Sequence, residues 1–399
     1  MALLENPLGH PEKFHISKDL GFILEDPLEE LPDCYQVWVR LAKNLPSLIQ
    51  NGQFREEVKQ LPELNISQLQ GHKEQRLAHL ALAVITMGYV WQDSEVMQVL
   101  PRKIAVPFCE ISKQLGLPPI MVYADCVLAN WKKKDPSGPM TYENMDTLFA
   151  FPGGDCSKGF FLVSLLVEKA AASAIGVIPD IFEAIKSKNV ESLKESLRTV
   201  ASSVHKAIEV FDLVHKHVNP NVFFDTLRIY LSGWKNNPLL PNGLIYEGVW
   251  ETPKMFCGGS AAQSSIMQCF DALLGIQHSS AEEKTSAKFL EEMRNYMPSS
   301  HKDFLEAVTS SPSVRDFIIS SDDIKLKKDY NECVKALVHL RSYHLQVVAK
   351  YIINQSNKQD NAKEKKSSDN QEKGTGGTNL MTFLKTVRNT TEKALLKES

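Results

Sequence analysis

The sequence predicts a mainly α-helical protein: a large helical domain preceded by a smaller, mixed but mostly helical one. Two observations lead there. Long segments place apolar residues three, four and seven apart, and proline and glycine cluster between those segments. At 399 residues the chain is long for one core, so two domains are expected, 1–150 and 151–399.

The N-terminal part opens with MALLENPLGHPEKFHI, where no basic segment precedes an apolar core, so no secretory signal is expected. LPDCYQVWVRLAKNLPSLI (31–49) and LAHLALAVITMGYVW (77–91) read as buried helices. The second run falls short of the roughly 20 apolar residues that a membrane span requires, so no membrane association is expected. PRKIAVPF (101–108) and GLPPIMVY (116–123) contain Pro101, Pro107, Pro118 and Pro119, and read as loops and short pieces. The polar, turn-rich stretches 132–146 and 151–159 mark the domain junction.

Beyond the junction the pattern is almost wholly helical. Ser157–Ile175 is apolar nearly all round over its first turns, as a central helix is. Asn219 and Pro220 form a cap-and-proline start to NPNVFFDTLRIYLSGW. GGSAAQSSIMQCFDALLGI (258–276) is a glycine-rich turn running into a helix, and 282–298 and 304–318 read as surface helices. Val334–Ile353 reads as one long helix whose apolar face includes His344. The tract 354–373 has no large apolar residue and is expected to lack packed structure. GTGGT (374–378) and a final amphipathic helix, 380–396, follow it. Such a tract is either a linker or a mobile lid over a site.

Charge and motifs exclude several functions. The 45 basic and 48 acidic residues leave a net charge of −3, so no nucleic-acid partner is expected. Seven scattered cysteines without a C-x-x-C pair fit the reducing cytosol. GGDCSKG lacks phosphate-loop spacing, and neither GGSAAQSS nor GTGGT opens a βαβ unit. No G-x-S-x-G elbow, H-E-x-x-H pair or Cys/His zinc cluster occurs.

A few polar residues lie in unusually apolar settings. A histidine on an apolar face needs a partner, either a hydrogen-bonding neighbour or a metal, and Arg341 one turn earlier can reach an anionic group beside it. Phe160, Phe161 and Ser164 share a helix face, where the serine either bonds back to a carbonyl or lines a pocket. Arg228, next to Phe224, is either an interface ion pair or a clamp for a carboxylate. Tyr123 and Cys126 are core or pocket residues. Gly259, Ser260 and Ala261 permit close approach of a flat ligand. LIYEGV (244–249) fits a loose phosphotyrosine pattern, which makes a signalling scaffold acting through Tyr246 and SH2-domain phosphatases the alternative reading.

The words RLAHLALAVITMGYVW, LPPIMVYADCVLANWKKKDP, GDCSKGFFLVSLLVE, FFDTLRIYLSGWK, GGSAAQSS, VKALVHLRSYHLQVV and KGTGGTNLMTFLKTVRNTTEKALL resemble the indoleamine 2,3-dioxygenases, in order, from about residue 20 to the C-terminus. The resemblance implies a haem b enzyme that opens the indole ring of L-tryptophan and related indoleamines with dioxygen. The product would be N-formylkynurenine, the first step of kynurenine formation. It further implies a cytosolic monomer with an immunomodulatory role and an electron donor that keeps the iron ferrous.

Carried over by position, the resemblance makes His344 the proximal iron ligand, with Arg341 and, less directly, Asp271 near a haem propionate. Tyr123, Cys126, Val127, Phe160, Phe161, Ser164, Gly259, Ser260 and Ala261 match the distal pocket. Phe223 and Arg228 match residues facing the substrate, with Arg228 as its carboxylate clamp. Thr375 matches the end of a lid spanning about 354–377, which turns the linker into a lid. Ser164 stands where related tryptophan dioxygenases have a histidine. A serine is a poor general base at neutral pH, so direct addition of dioxygen across the indole C2–C3 bond is implied. Ala262 and Phe108 depart from the glycine and tyrosine familiar at those positions.

Overall fold

Asp155–Gly176 is the central helix, and it lies along Val190–Phe211, which in turn packs against Ile324–Val348. Leu380–Glu392 covers the far side of that last helix. The computed structural model describes Leu8 and residues 11–278, 284–362, 374–375 and 379–397. Among these residues only two small sheets occur. Val99–Leu100 pairs in parallel with Ile245–Tyr246, and Lys132–Lys133 pairs antiparallel with Met145–Asp146. The protein is all-α in architecture, as expected.

The helices form where apolar periodicity and caps coincide. Every residue from Arg76 to Trp91 is buried, so Gly71–Trp91 runs through the N-terminal core rather than over its surface. Asp155–Ser187 is the one helical stretch among the described residues with the length and composition to cross a bilayer, but 61% of its apolar window is buried in protein. It is a core helix here. The Asn219 side chain accepts hydrogen bonds from the backbone N–H groups of Asn221 and Val222, with Pro220 at the first helical position. Asp323 caps the His344 helix through the N–H of Leu326.

Four local expectations are corrected. Arg102–Leu115 is a continuous helix with Pro107 inside it, not a set of loops. Ile104, Ala105, Phe108 and Ile111 are fully buried at helical spacing, and packing on Gly71–Trp91 outweighs the one lost backbone hydrogen bond. The segment 304–318 is two helices, Ser299–Ser310 and Val314–Ser321, because Pro312 breaks the first and Ser313 caps the second by accepting the N–H of Asp316. The tract 354–373 begins as helix: Asn354–Ala362 continues from the preceding one, with Gln355 and Ser356 buried. Extending an existing helix needs no new nucleus, so polar residues suffice. Residues 363–373 and 376–378 of the expected lid lie outside the described residues. Finally, Tyr246 is fully buried and donates its hydroxyl to the Pro119 carbonyl at 2.6 Å. A kinase cannot reach it in this fold, and the scaffold alternative loses its residue.

Two segments wind more widely than an α-helix. Phe223–Leu227 and Ala349–Ile353 are π-helical, they pack on each other, and the Phe223 and Tyr351 rings meet edge to face at 6.3 Å. Such wide turns are common beside functional sites.

Candidate active site

A cavity of about 290 Å³ opens between the central helix, the His344 helix and the turn at 259–261. From the central helix Phe160, Val163, Ser164 and Val167 face it, four and three apart. Tyr123, Cys126 and Val127 enter from the one-turn helix Tyr123–Cys126. Asp125 anchors that turn from behind: its Oδ2 accepts the N–H of Val122 at 3.1 Å, and its Oδ1 lies 2.8 Å from Nδ1 of His79. Phe223 and Arg228 line the cavity from the π-helical turn and the 3-10 turn after it. Gly259, Ser260 and Ala261 close one side, and Asp271, Arg341 and His344 border the same space.

Of the residues matched to the haem and substrate site, Phe161 alone does not border the cavity. It is 1% exposed and packed between Phe160 and Phe151, one position round the helix from the lining face. Ser164 borders the cavity, yet its hydroxyl donates to the carbonyl of Phe160 at 2.9 Å, the backbone bond foreseen as the bland reading. Phe160 and Phe223 hold their ring centroids 4.9 Å apart and form an aromatic wall.

The charged groups differ sharply. His344 has no hydrogen bond among the described residues, and burial lowers its basicity to a pKa of about 4. The imidazole is therefore neutral at pH 7, with a nitrogen lone pair available in an apolar cavity. That is the state a metal-ligating histidine needs. Arg341 is 8% exposed and forms a two-pronged pair with Asp271 at 2.8 and 2.9 Å, with Thr391 as a further partner. Burial alone would raise the Asp271 carboxyl, but Arg341 and His278 hold it below its ordinary range. Burial brings Arg228 down to about 10, so it stays cationic at neutral pH; its guanidinium lies 5.4 Å from the centre of the Phe224 ring.

Thr375 reaches the site from the C-terminal segment. Its carbonyl accepts the N–H groups of Gly233 (3.3 Å) and Gly258 (3.1 Å), and its hydroxyl donates to the Gly259 carbonyl at 2.6 Å. The glycines are required by the close approach: a Cβ on Gly233 would sit 2.2 Å from the Gly258 nitrogen, and one on Gly258 2.1 Å from the Leu231 carbonyl.

Sequence reasoning missed Glu168. It is 3% exposed, borders the cavity, and accepts hydrogen bonds from Tyr123 and Ser264. The signal was present: an acidic residue four positions after Ser164, within an otherwise apolar helix face.

Comparison with known proteins agrees with the geometry. Residues 10–394 match the family model described as indoleamine 2,3-dioxygenase. The chain is 58% identical to indoleamine 2,3-dioxygenase 1 of Mus musculus over 96% of its own length and 95% of the mouse protein. It is 46% identical to indoleamine 2,3-dioxygenase 2 of Homo sapiens, covering 96% and 95%. A protein named myoglobin from Haliotis madaka is 38% identical over 96% of this chain and 97% of its own. The family model over residues 10–394 and the full-length likeness to these relatives, with which a neutral histidine in an apolar cavity agrees, show that the chain belongs to the indoleamine 2,3-dioxygenase family.

Proposed function

We propose that this protein is a haem-dependent dioxygenase that inserts dioxygen across the indole C2–C3 bond of L-tryptophan, giving N-formylkynurenine. One observation carries the reading: His344, neutral and without a hydrogen bond among the described residues, faces the same apolar cavity as Arg228 and the Phe160–Phe223 wall. His344 would hold the iron, and Arg341, already oriented by Asp271, would stand beside the haem carboxylates. The residues present fit the group, because a haem disc needs an apolar slot, an axial imidazole and a nearby cation. When bound, ferrous haem supplies the activation of dioxygen, which requires an electron donor.

The protein's own residues do the rest. Arg228, cationic and partly desolvated, would bind the substrate carboxylate. Phe160 and Phe223 would hold the indole plane. Ser164 commits its proton to the Phe160 carbonyl, which supports a reaction without proton abstraction from the indole by this residue. Thr375, bonded to Gly233, Gly258 and Gly259, would keep residues 374–375 at the cavity and help exclude water. In this reading the chain up to about residue 150 covers the substrate side, and the remainder holds the haem. The seven free cysteines support a cytosolic location.

The test is reconstitution with haem, anaerobic reduction, then addition of tryptophan and dioxygen with the product identified by mass. N-formylkynurenine is expected. Absence of a Soret band overturns the reading. A Soret band without product would instead favour a haem protein that binds but does not turn over, a second reading prompted by the myoglobin-named relative.

A further inference from the structure

The Glu168 carboxyl joins three walls of the cavity at one atom. Its Oε1 accepts the Tyr123 hydroxyl at 2.9 Å and the Ser264 hydroxyl at 2.6 Å. Tyr123 belongs to the one-turn helix that also bears Cys126, and Ser264 ends the 3-10 turn Ala261–Gln263 that Ser260 caps. Glu168 itself lies one and two turns beyond Ser164 and Phe160 on the central helix. A second link runs parallel to the first: the Tyr123 N–H donates to Gln263 at 3.0 Å, and Gln263 donates to the Gly258 carbonyl at 2.8 Å.

A buried carboxylate is expensive unless it organises something. Oε2 of Glu168 is buried without a hydrogen-bond partner among the described residues, and burial pushes the carboxyl up to about 7 despite the two donors. The group is thus a costly feature of the wall, with both lone pairs of one oxygen engaged in bridging.

We infer that Glu168 is a positioning residue for the dioxygenase reaction: by accepting from Tyr123 and Ser264 together, it fixes the 123–127 and 259–264 walls against Phe160 and Ser164 and sets the width of the indole slot. This rests on the dioxygenase reading. The work is done by the bridging oxygen rather than by negative charge, so a glutamine amide oxygen can replace it.

The experiment compares the Glu168→Gln and Glu168→Ala holoenzymes with the native holoenzyme. Three readouts apply: kcat and KM for tryptophan, the tryptophan affinity read from the haem absorption band, and hydrogen exchange of the haem-free proteins over 119–128 and 257–265. Removing one bridging bond at a time, as in Tyr123→Phe or Ser264→Ala, is expected to raise KM about fivefold. Glu168→Ala is expected to raise KM and weaken tryptophan affinity by about tenfold or more, with kcat changed less than threefold. Both segments should exchange faster in Glu168→Ala and at the native rate in Glu168→Gln. Should Glu168→Ala fail to fold, the Tyr123→Phe and Ser264→Ala variants decide on the same readouts.

A Glu168→Gln enzyme as impaired as Glu168→Ala overturns the inference, because charge would then be what matters. So does a lower melting temperature with KM and exchange unchanged, which would make the role structural only. Because exchange is read without haem and turnover is first established in the native enzyme, failure here is distinct from failure of the dioxygenase reading.

Discussion

Two histidines sit on long helices in this protein, and their surroundings are opposites. His79 is fully buried in the N-terminal core, with Nδ1 2.8 Å from Asp125 and Nε2 3.0 Å from Ser112. The three side chains have the order of a hydrolase triad, but all are at most 1% exposed and none borders the cavity, so no substrate reaches them. His344 borders the cavity and has no hydrogen bond among the described residues. Both lie in apolar stretches of sequence. What separates the two histidines is therefore partners and access: His79 is sealed among hydrogen bonds, and His344 opens on the cavity.

Substitution at these two positions is the sharpest way to break the comparison. His344→Ala is expected to abolish the Soret band after haem reconstitution while leaving the haem-free protein folded, since no hydrogen bond is lost. His79→Ala leaves Oδ1 of Asp125 buried without its imidazole partner, while Oδ2 keeps the Val122 N–H, and is expected to cost about 3 kcal/mol in denaturant unfolding. Its effect on haem uptake should be confined to the fraction unfolded. An exchange of these two phenotypes would sink the distinction.

Arg228→Ala comes next in size. Loss of a charged hydrogen-bond donor to the substrate is expected to lower kcat/KM about ten- to hundredfold at unchanged haem content. Equal activity refutes the clamp.

The same contrast has a pH signature. Burial lowers His72 to about 3 and His301 well below its ordinary value, and neither is held by an acidic partner. A histidine whose folded pKa is depressed stabilises the fold above its unfolded value, roughly 6.5, and that contribution is lost as pH falls towards the folded value. Glu168, raised to about 7, runs the other way: its contribution is complete below the unfolded carboxyl value and lost as pH rises through 7. Urea unfolding of the haem-free protein should thus weaken steadily below pH 6.5, and His72→Phe should flatten the slope. The smallest effect belongs to Ser164→Ala, where kcat is expected to stay within about threefold, since only a backbone-directed bond disappears. A complete loss of activity would give that hydroxyl a part in the chemistry.

Much of this was legible in the chain. Helices with clear periodicity and caps, such as Asp155–Gly176 and the one bearing His344, are written locally. Pro107 was misleading because burial of Ile104, Phe108 and Ile111 is a tertiary effect that no local rule contains. Arg228 and Ser164 stood out by type, but periodicity left their bland readings open, and for Ser164 the backbone bond is real. Phe161 was misplaced because it lies about 100° round the helix from Phe160, on the side that packs against Phe151, a partner outside that helix. Glu168 was passed over because its partners, Tyr123 and Ser264, are 45 and 96 residues away.

The two wide turns have a consequence for how this chain tolerates change in length. A turn closed by i→i+5 bonds holds about one residue more than an α-turn, so Phe223–Leu227 lets Arg228, five positions on, return to nearly the same side as Phe223. A one-residue deletion inside that turn, with relaxation to α-helical pitch, is expected to leave the guanidinium on the side of the aromatic wall, because four residues at about 100° each come round to nearly the same angle. The wide turn thus absorbs one residue of chain length, and the slot between clamp and wall tolerates its loss.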